Sequence, residues 1–297
     1  MKLFKRVLFI FCFLSLVSGM DFLLFASAVN AAEKPKRIIS LAPSITEYLY
    51  ALGVQDNLIG VTTYCDYPKD AKNRTKIGTL INPNVEKILS LCPDLILTVK
   101  DINRPHSIEK LKDLGLEVIA LKECETFDDI VSNLLQLSKI VGKEEKAEEI
   151  IEKAKRKMKE LTDDINDTLP KSVFWQVNAK PLVTAGRSTF VNNIIRLAGG
   201  INIFAEIDSK YPRLNCEEVI LRNPEVIILV TMGDVTPAQR LFWQKFKQID
   251  AVRNNRIYVV DANLVCRPTI LHFLEGLETI KNILHPTINF SKSESNE

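Results

Sequence analysis

Short runs of aliphatic and β-branched residues alternate along this chain with longer stretches whose apolar positions recur every three or four residues. That is the pattern of strand-helix units with parallel strands. It predicts strands near Arg37–Leu41, Leu58–Thr62, Asp94–Val99 and Glu117–Leu121. A second set falls near Ser172–Val177, Pro181–Thr184, Glu225–Val230 and Arg256–Val260. Helices fill the intervals. Ser44-Ile45-Thr46-Glu47 reads as a capping box opening one helix, and Gly53 closes it. Between the two strand sets, Ala147, Ile150, Ile151, Ala154, Met158, Leu161 and Ile165 form one apolar stripe within a Lys- and Glu-rich stretch, Gly142 to Ile165. A helix there would run roughly 35 Å and act as a stiff connector, so lobe movement should be small. The fold class expected is α/β, with two Rossmann-like lobes of parallel-rich sheet joined by a single long α-helix. The lobes are residues 33–141 and 169–285, with residues 142–168 between them.

The two halves also echo each other. Asn84-Val85-Glu86 through Pro93-Asp94-Leu95-Ile96-Leu97 aligns without a gap on Asn215-Cys216-Glu217 through Pro224-Glu225-Val226-Ile227-Ile228. Each copy reads as helix, Pro-acid turn and buried strand, so Glu86 and Glu217 stand at equivalent places, one per lobe.

The first 32 residues change the picture of where the chain works. Lys2, Lys5 and Arg6 precede an apolar run from Val7 to Met20, and small residues follow around a Val29-Asn30-Ala31 cleavage site. This is the layout of a cleaved secretory signal peptide, which implies an exported product; Phe22 to Val29 lengthens the apolar stretch toward an uncleaved anchor, but Asp21 interrupts it. Three of the 39 basic and one of the 37 acidic residues lie in this segment, leaving 36 of each. A neutral mature chain offers no electrostatic case for nucleic acid. Five cysteines remain beyond it (Cys65, Cys92, Cys124, Cys216 and Cys266) with no Cys-x-x-Cys. One or two disulfides and buried single thiols are both open. The polar tail, residues 286–297, reads as disordered.

Ligands of open α/β sheets bind beyond the carboxyl ends of the strands. The residues placed there include Pro43, Ser44, Tyr64, Asp66, Tyr67, Thr184, Asn263 and Arg267, with Tyr211 in a polar loop before the Glu217 helix. Arg187 reads as exposed. This lining is aromatic, hydroxylic and sparsely charged, and suits a large, partly apolar small molecule. The tyrosines fit a ligand-stacking and a loop-anchoring role equally. No nucleophile elbow, phosphate loop or dinucleotide fingerprint is present. His106, His272 and His285 are isolated, so no protein-ligated metal site is expected. A binder is favoured over an enzyme. A secreted α/β enzyme with a carboxylate pair, and a sensor or adaptor, are the readings from other classes.

Arg37-Ile38-Ile39-Ser40-Leu41-Ala42-Pro43-Ser44-Ile45-Thr46-Glu47 and Thr62-Thr63-Tyr64-Cys65-Asp66-Tyr67-Pro68 resemble the opening of periplasmic cobalamin- and siderophore-binding proteins. Thr184-Ala185-Gly186, Ala198-Gly199-Gly200-Ile201-Asn202 and Tyr211-Pro212 leading to Glu217 extend the resemblance, which runs from about Arg37 to His285. It implies the architecture of a class III periplasmic binding protein, monomeric and located in the periplasm, that delivers its cargo to an inner-membrane ABC permease dimer. It also implies that Glu86 and Glu217 dock onto permease arginines. The cobalamin binders look nearest, through Tyr64 to Pro68 and Tyr211, and no resident cofactor is implied. Leu80 stands where an aromatic would pack on a corrin, and Arg267-Pro268-Thr269 departs from a Pro-Gly-Pro-Arg style turn. Ferric siderophore or haem therefore stands beside cobalamin as the alternative cargo.

Overall fold

The computed structural model describes residues 34–100, 105–163, 165, 169–231 and 238–286. The signal-peptide reading of residues 1–32 and nearly all of the tail lie outside the described residues, as do Met232, Gly233 and Asp234. Lys36 onward forms one compact unit.

Its first sheet holds β1 (Ile38–Ser40), β2 (Leu58–Val61), β3 (Leu95–Val99) and β4 (Val118–Leu121), all parallel, in the order β2-β1-β3-β4. The second holds β5 (Lys171–Ala179), β6 (Leu182–Thr184), β7 (Gly200–Asn202), β8 (Val226–Val230) and β9 (Ile257–Val260). Its order is β6-β5-β8-β9, with β7 paired to the start of β5 and only β6 antiparallel. Every strand predicted from the hydrophobic pattern is present. β7 was not predicted, because three residues behind a glycine pair carry no alternation to read.

The strand side chains sort by the two-residue period. Ile38, Leu95, Leu97 and Val99, with Val173, Trp175, Val226, Ile228 and Val230, all enter one continuous core shared by both sheets. Ile39 and Ile96 face a separate cluster, and Phe174, Ile227 and Leu229 face another around Trp243. Both sheets are thus covered on both faces, which is why their strands read as unbroken apolar runs.

The helices are α1 (Pro43–Ala51), α2 (Val85–Ser90), α3 (Pro105–Asp113), α4 (Phe127–Val141), α5 (Glu144–Thr162), α6 (Phe190–Leu197), α7 (Cys216–Arg222), α8 (Gln239–Trp243), α9 (Asp250–Arg253), α10 (Ala262–Val265) and α11 (Ile270–Leu284). The long helix is α5, whose 19 residues span about 28 Å. It is shorter than predicted at both ends: Gly142, at φ 64°, ends α4 in the left-handed region instead of opening α5, and the helix stops at Thr162, short of Ile165. Ala147, Ile151, Ala154 and Leu161 bury its apolar stripe, and it packs on α4 from the first half and α11 from the second.

The capping box does not form. Pro43 occupies the first turn of α1, where its fixed φ and missing N–H suit a helix start, so the helix begins a residue before Ser44. Ser44 is buried, and Glu47 turns away to the C-terminal segment. Gly53 does follow the helix end, at φ 72°.

The internal echo is structural. Asn84 and Asn215 each cap a short helix, accepting from the amides of Lys87 and Glu218 at 2.9 and 3.0 Å. Cys92 and Asn223 both take positive φ, 44° and 46°. The turn acids then repeat one device. Asp94 accepts from the amides of Lys36 and Arg37 at the entry to β1, and Glu225 from the amide of Ser172 at the entry to β5.

Candidate functional site

The loops leaving the strands converge from both sheets. From the first come the β1–α1 turn, the segment after β2 (Thr62–Pro68) and the segment between β4 and α4 (Lys122–Thr126). From the second come the turn after β6, the 207–214 loop and the β9–α11 segment (Asp261–Thr269).

The 207–214 loop is fastened along β6. Thr184 and Gly186 donate their amides to Pro212 O and Lys210 O, and Arg187 donates to Ile207 O. A Cβ on Gly186 would meet Ser209 O at 2.0 Å, so only glycine permits this approach. Lys210 and Tyr211 are therefore presented from a stiff support. Lys210 reaches across to the first lobe, pairing with Glu123 and, at 3.5 Å, with Glu125. Hydrogen bonding to Glu123, against partial desolvation, raises the Lys210 pKa.

Asp129 holds the acidic segment in place. It accepts from the amides of Glu125 and Thr126 and from the Thr126 hydroxyl, and pairs with Lys122 at 2.5 Å. Desolvation would raise its pKa, but these donors outweigh that and hold it at about 2. A depressed folded pKa stabilises the protein above the unfolded value and ceases to do so as pH falls through the folded one. Asp129→Asn should therefore cost about 1–2 kcal/mol at neutral pH. The gap in melting temperature from the parent should close as pH falls from about 4 to about 2. A gap independent of pH would mean that the carboxylate charge is not what stabilises this turn.

Tyr64 and Tyr211 keep most of their surface open, at 60% and 53% exposed, and Tyr67 is 42% exposed with its edge on the His272 ring at 5.1 Å. Tyr211 and Cys266 are both exposed. Burial pushes both pKa values up to about 12, with Cys266 and Glu123 adding to the shift at Tyr211, and with Asp261 adding to it at Cys266 against the opposing charge of Arg267. Tyr211 is thus a neutral hydroxyl on an aromatic face. Pro43 is half-buried and Ser44 almost buried.

The structure gives other predicted ligand residues different work. Thr184 is fully buried and donates to Trp175 O at 2.6 Å, so it is a structural hydroxyl. Arg267 is occupied: it donates to Glu47 Oε1 at 3.0 Å and Asn263 Oδ1 at 2.8 Å, and it pairs with Asp66. Desolvation opposes its charge, yet Asp66 and Glu47 raise its pKa, and Arg267 in turn lowers that of Asp66 against desolvation. Asp66, Asn263 and Arg267 are brought together, as the sequence reading required, but they satisfy one another.

Glu47 is the centre of this tie. Its side chain is 5% exposed, its other oxygen lies 2.8 Å from His272 Nδ1, and Thr269 donates to it at 3.1 Å. Tyr48 Oη donates to Pro268 O at 2.9 Å beside it. One buried acid on the first lobe's first helix thus latches the segment that follows the second lobe's last strand. Sequence reasoning missed Glu47 by assigning it to a helix cap. It missed Glu123 and Glu125 because the strand-end rule was not carried to the end of β4. Among the described residues the five cysteines are free thiols, and Cys65 is buried against Thr46 and Thr62.

Two α/β sheets under a shared helical seam, with a cleft at their strand ends, are now in view, and a periplasmic binding protein family match spans residues 38–264. The chain belongs to that family. A vitamin B12-binding protein of Vibrio parahaemolyticus is 31% identical over 87% of this chain and 95% of its own. A Bacillus subtilis ABC transporter substrate-binding lipoprotein is 32% identical over 87% and 82%. Among solved structures, the periplasmic vitamin B12-binding protein BtuF of Vibrio cholerae superposes with a TM-score of 0.75 at 30% identity, covering 84% of this chain and 97% of that one. A periplasmic heme-binding protein of Pseudomonas aeruginosa shares the fold, with a TM-score of 0.77 at 22% identity over 85% and 94%. This family member is a substrate-binding protein, not an enzyme. Among the described residues, no helix is long and apolar enough to cross a membrane.

Proposed function

We propose that this chain is exported, captures cobalamin between its lobes and hands it to an ABC permease. The observation that carries the choice of cargo is the state of the cleft cations. Lys122, Lys210 and Arg267 each face a carboxylate, and Arg187 donates to Ala205 O and lies 3.7 Å from Asp208. Haem propionates or catecholate complexes need free cations. Arg213, exposed on the Tyr211 loop, does not make a cluster. What the cleft offers instead is aromatic faces at Tyr64 and Tyr211 and neutral hydroxyl and thiol groups, which suit a bulky ligand fringed with amides. The relatives that bind vitamin B12 support the same choice. Docking through Glu86 and Glu217, and export as a monomer through a cleaved signal peptide, belong to this reading.

Calorimetric titration of the mature protein should show one-to-one binding of cyanocobalamin, with little heat from haem or a ferric hydroxamate. Tyr64→Ala and Tyr211→Ala should each weaken it by about tenfold, roughly 1.4 kcal/mol. Binding of an iron complex with no cobalamin heat would replace the cargo while leaving the transport role.

A further inference from the structure

A cavity of about 640 Å³ opens on the flank of the molecule, between the first helix, the connecting helix and the last helix. Tyr48 and Ala51 of α1, Leu134 of α4, Ile150 and Ala154 of α5 and Leu274 of α11 line it. Tyr67 and Pro68, at the end of the segment after β2, also border it, but Tyr64, Thr184, Tyr211, Asn263 and Cys266 do not, so it adjoins the strand-end residues while being lined mostly by helices. Glu47 and Thr269 do border it, but their polar atoms are engaged by Arg267 and His272. The remaining wall is mostly carbon. Lys153 and Lys157 also line it, one helical turn apart, with side chains 64% and 43% exposed, which places them at its opening. Their partners are Glu149 at 2.5 Å and Glu278 at 3.0 Å.

We propose that this cavity is a second ligand site, for a small amphiphile with an apolar body and one anionic head group. Its volume lies within the range of small-molecule sites, roughly 300–1,000 Å³, and a largely apolar wall favours a body without hydrogen-bonding groups. The head group is set by the two lysines. Exposed pairs such as theirs are weak, so a ligand carboxylate or sulfonate displaces Glu149 or Glu278 at small cost. A buried cation would find no free acceptor, because both Glu47 oxygens are taken. An occupant touches α1 and α11 together with the connector, and so fixes the angle between the lobes.

Fluorescence titration with anilinonaphthalene sulfonate tests this, with dodecanoate as competitor. Saturable one-to-one binding, displaced by dodecanoate, is expected. Ala51→Trp, an exposed position on the cavity wall, should weaken it by about tenfold or more, and Lys153→Gln with Lys157→Gln by about fivefold. Tyr64→Ala with Tyr211→Ala should leave it unchanged. Leu271→Trp is the second filling variant should Ala51→Trp fold poorly. No saturable binding, binding untouched by the filling variants, or binding lost in the tyrosine variant would overturn the proposal, the last by placing the probe in the cleft.

Discussion

Glu47→Ala should lower the melting temperature by roughly 10 °C, the largest loss expected from any single polar substitution outside the strands. Glu47 is buried and holds three partners, Arg267, His272 and Thr269. Removing one member of a buried ion pair strands the other, at a cost of about 3–5 kcal/mol. In a domain of this size each kcal/mol moves the midpoint by about 2–4 °C. Glu47→Gln keeps the shape and one acceptor and should lose about half as much. The damage should be local as well as global. Arg267 retains Asp66 and Asn263, but the segment after β9 loses its tie to α1, so amides of residues 262–272 should exchange faster than those of β1 or β3. A scanning calorimetry midpoint within about 2 °C of the parent would show that the latch contributes nothing net, as some buried ion pairs do.

That latch also marks where sequence reading stops. Strand positions were legible because a strand covered on both faces must be apolar throughout, and helices because a one-sided helix must repeat at three and four. The Glu86 and Glu217 echo was legible for a similar local reason: a capping Asn, a left-handed turn residue and a Pro-acid pair recur in order, and the structure gives each pair the same role. Glu47 was misread because its local context, three residues after a serine, fits a cap. Its partners lie about 220 residues away, and no local pattern encodes them. Arg267 shows the limit from the opposite direction. Its place at a strand end was right, but whether a guanidinium faces a ligand or a neighbouring carboxylate depends on which loop the other lobe brings to it. Lys210 with Glu123 and Glu125 shows the same limit, since the pair exists only once the lobes meet. What the sequence identified is that these groups stand at neighbouring strand ends. What it could not identify is which polar groups in that neighbourhood are already satisfied.

Glu86→Ala with Glu217→Ala should reduce cobalamin uptake through a reconstituted importer by at least about a hundredfold, while leaving cyanocobalamin titration unchanged. Both carboxylates are exposed on the first turn of a capped helix, and the two helices stand at matching places in the two lobes. No ion pair to either is present among the described residues, so the double change should cost little stability. A permease made of two equivalent halves would present the same arginine pocket twice, and one carboxylate per lobe matches that symmetry. Truncating one partner of a desolvated charge pair costs about 2–5 kcal/mol. Two such losses comfortably exceed the roughly 2.7 kcal/mol that a hundredfold represents. Each single variant should fall in between, and raising the salt should weaken the parent more than the double variant, because only the parent retains the charges being screened. Uptake by the double variant within about twofold of the parent would mean that the glutamates are ordinary helix-start acids, and the docking surface would then have to be sought elsewhere on the lobes.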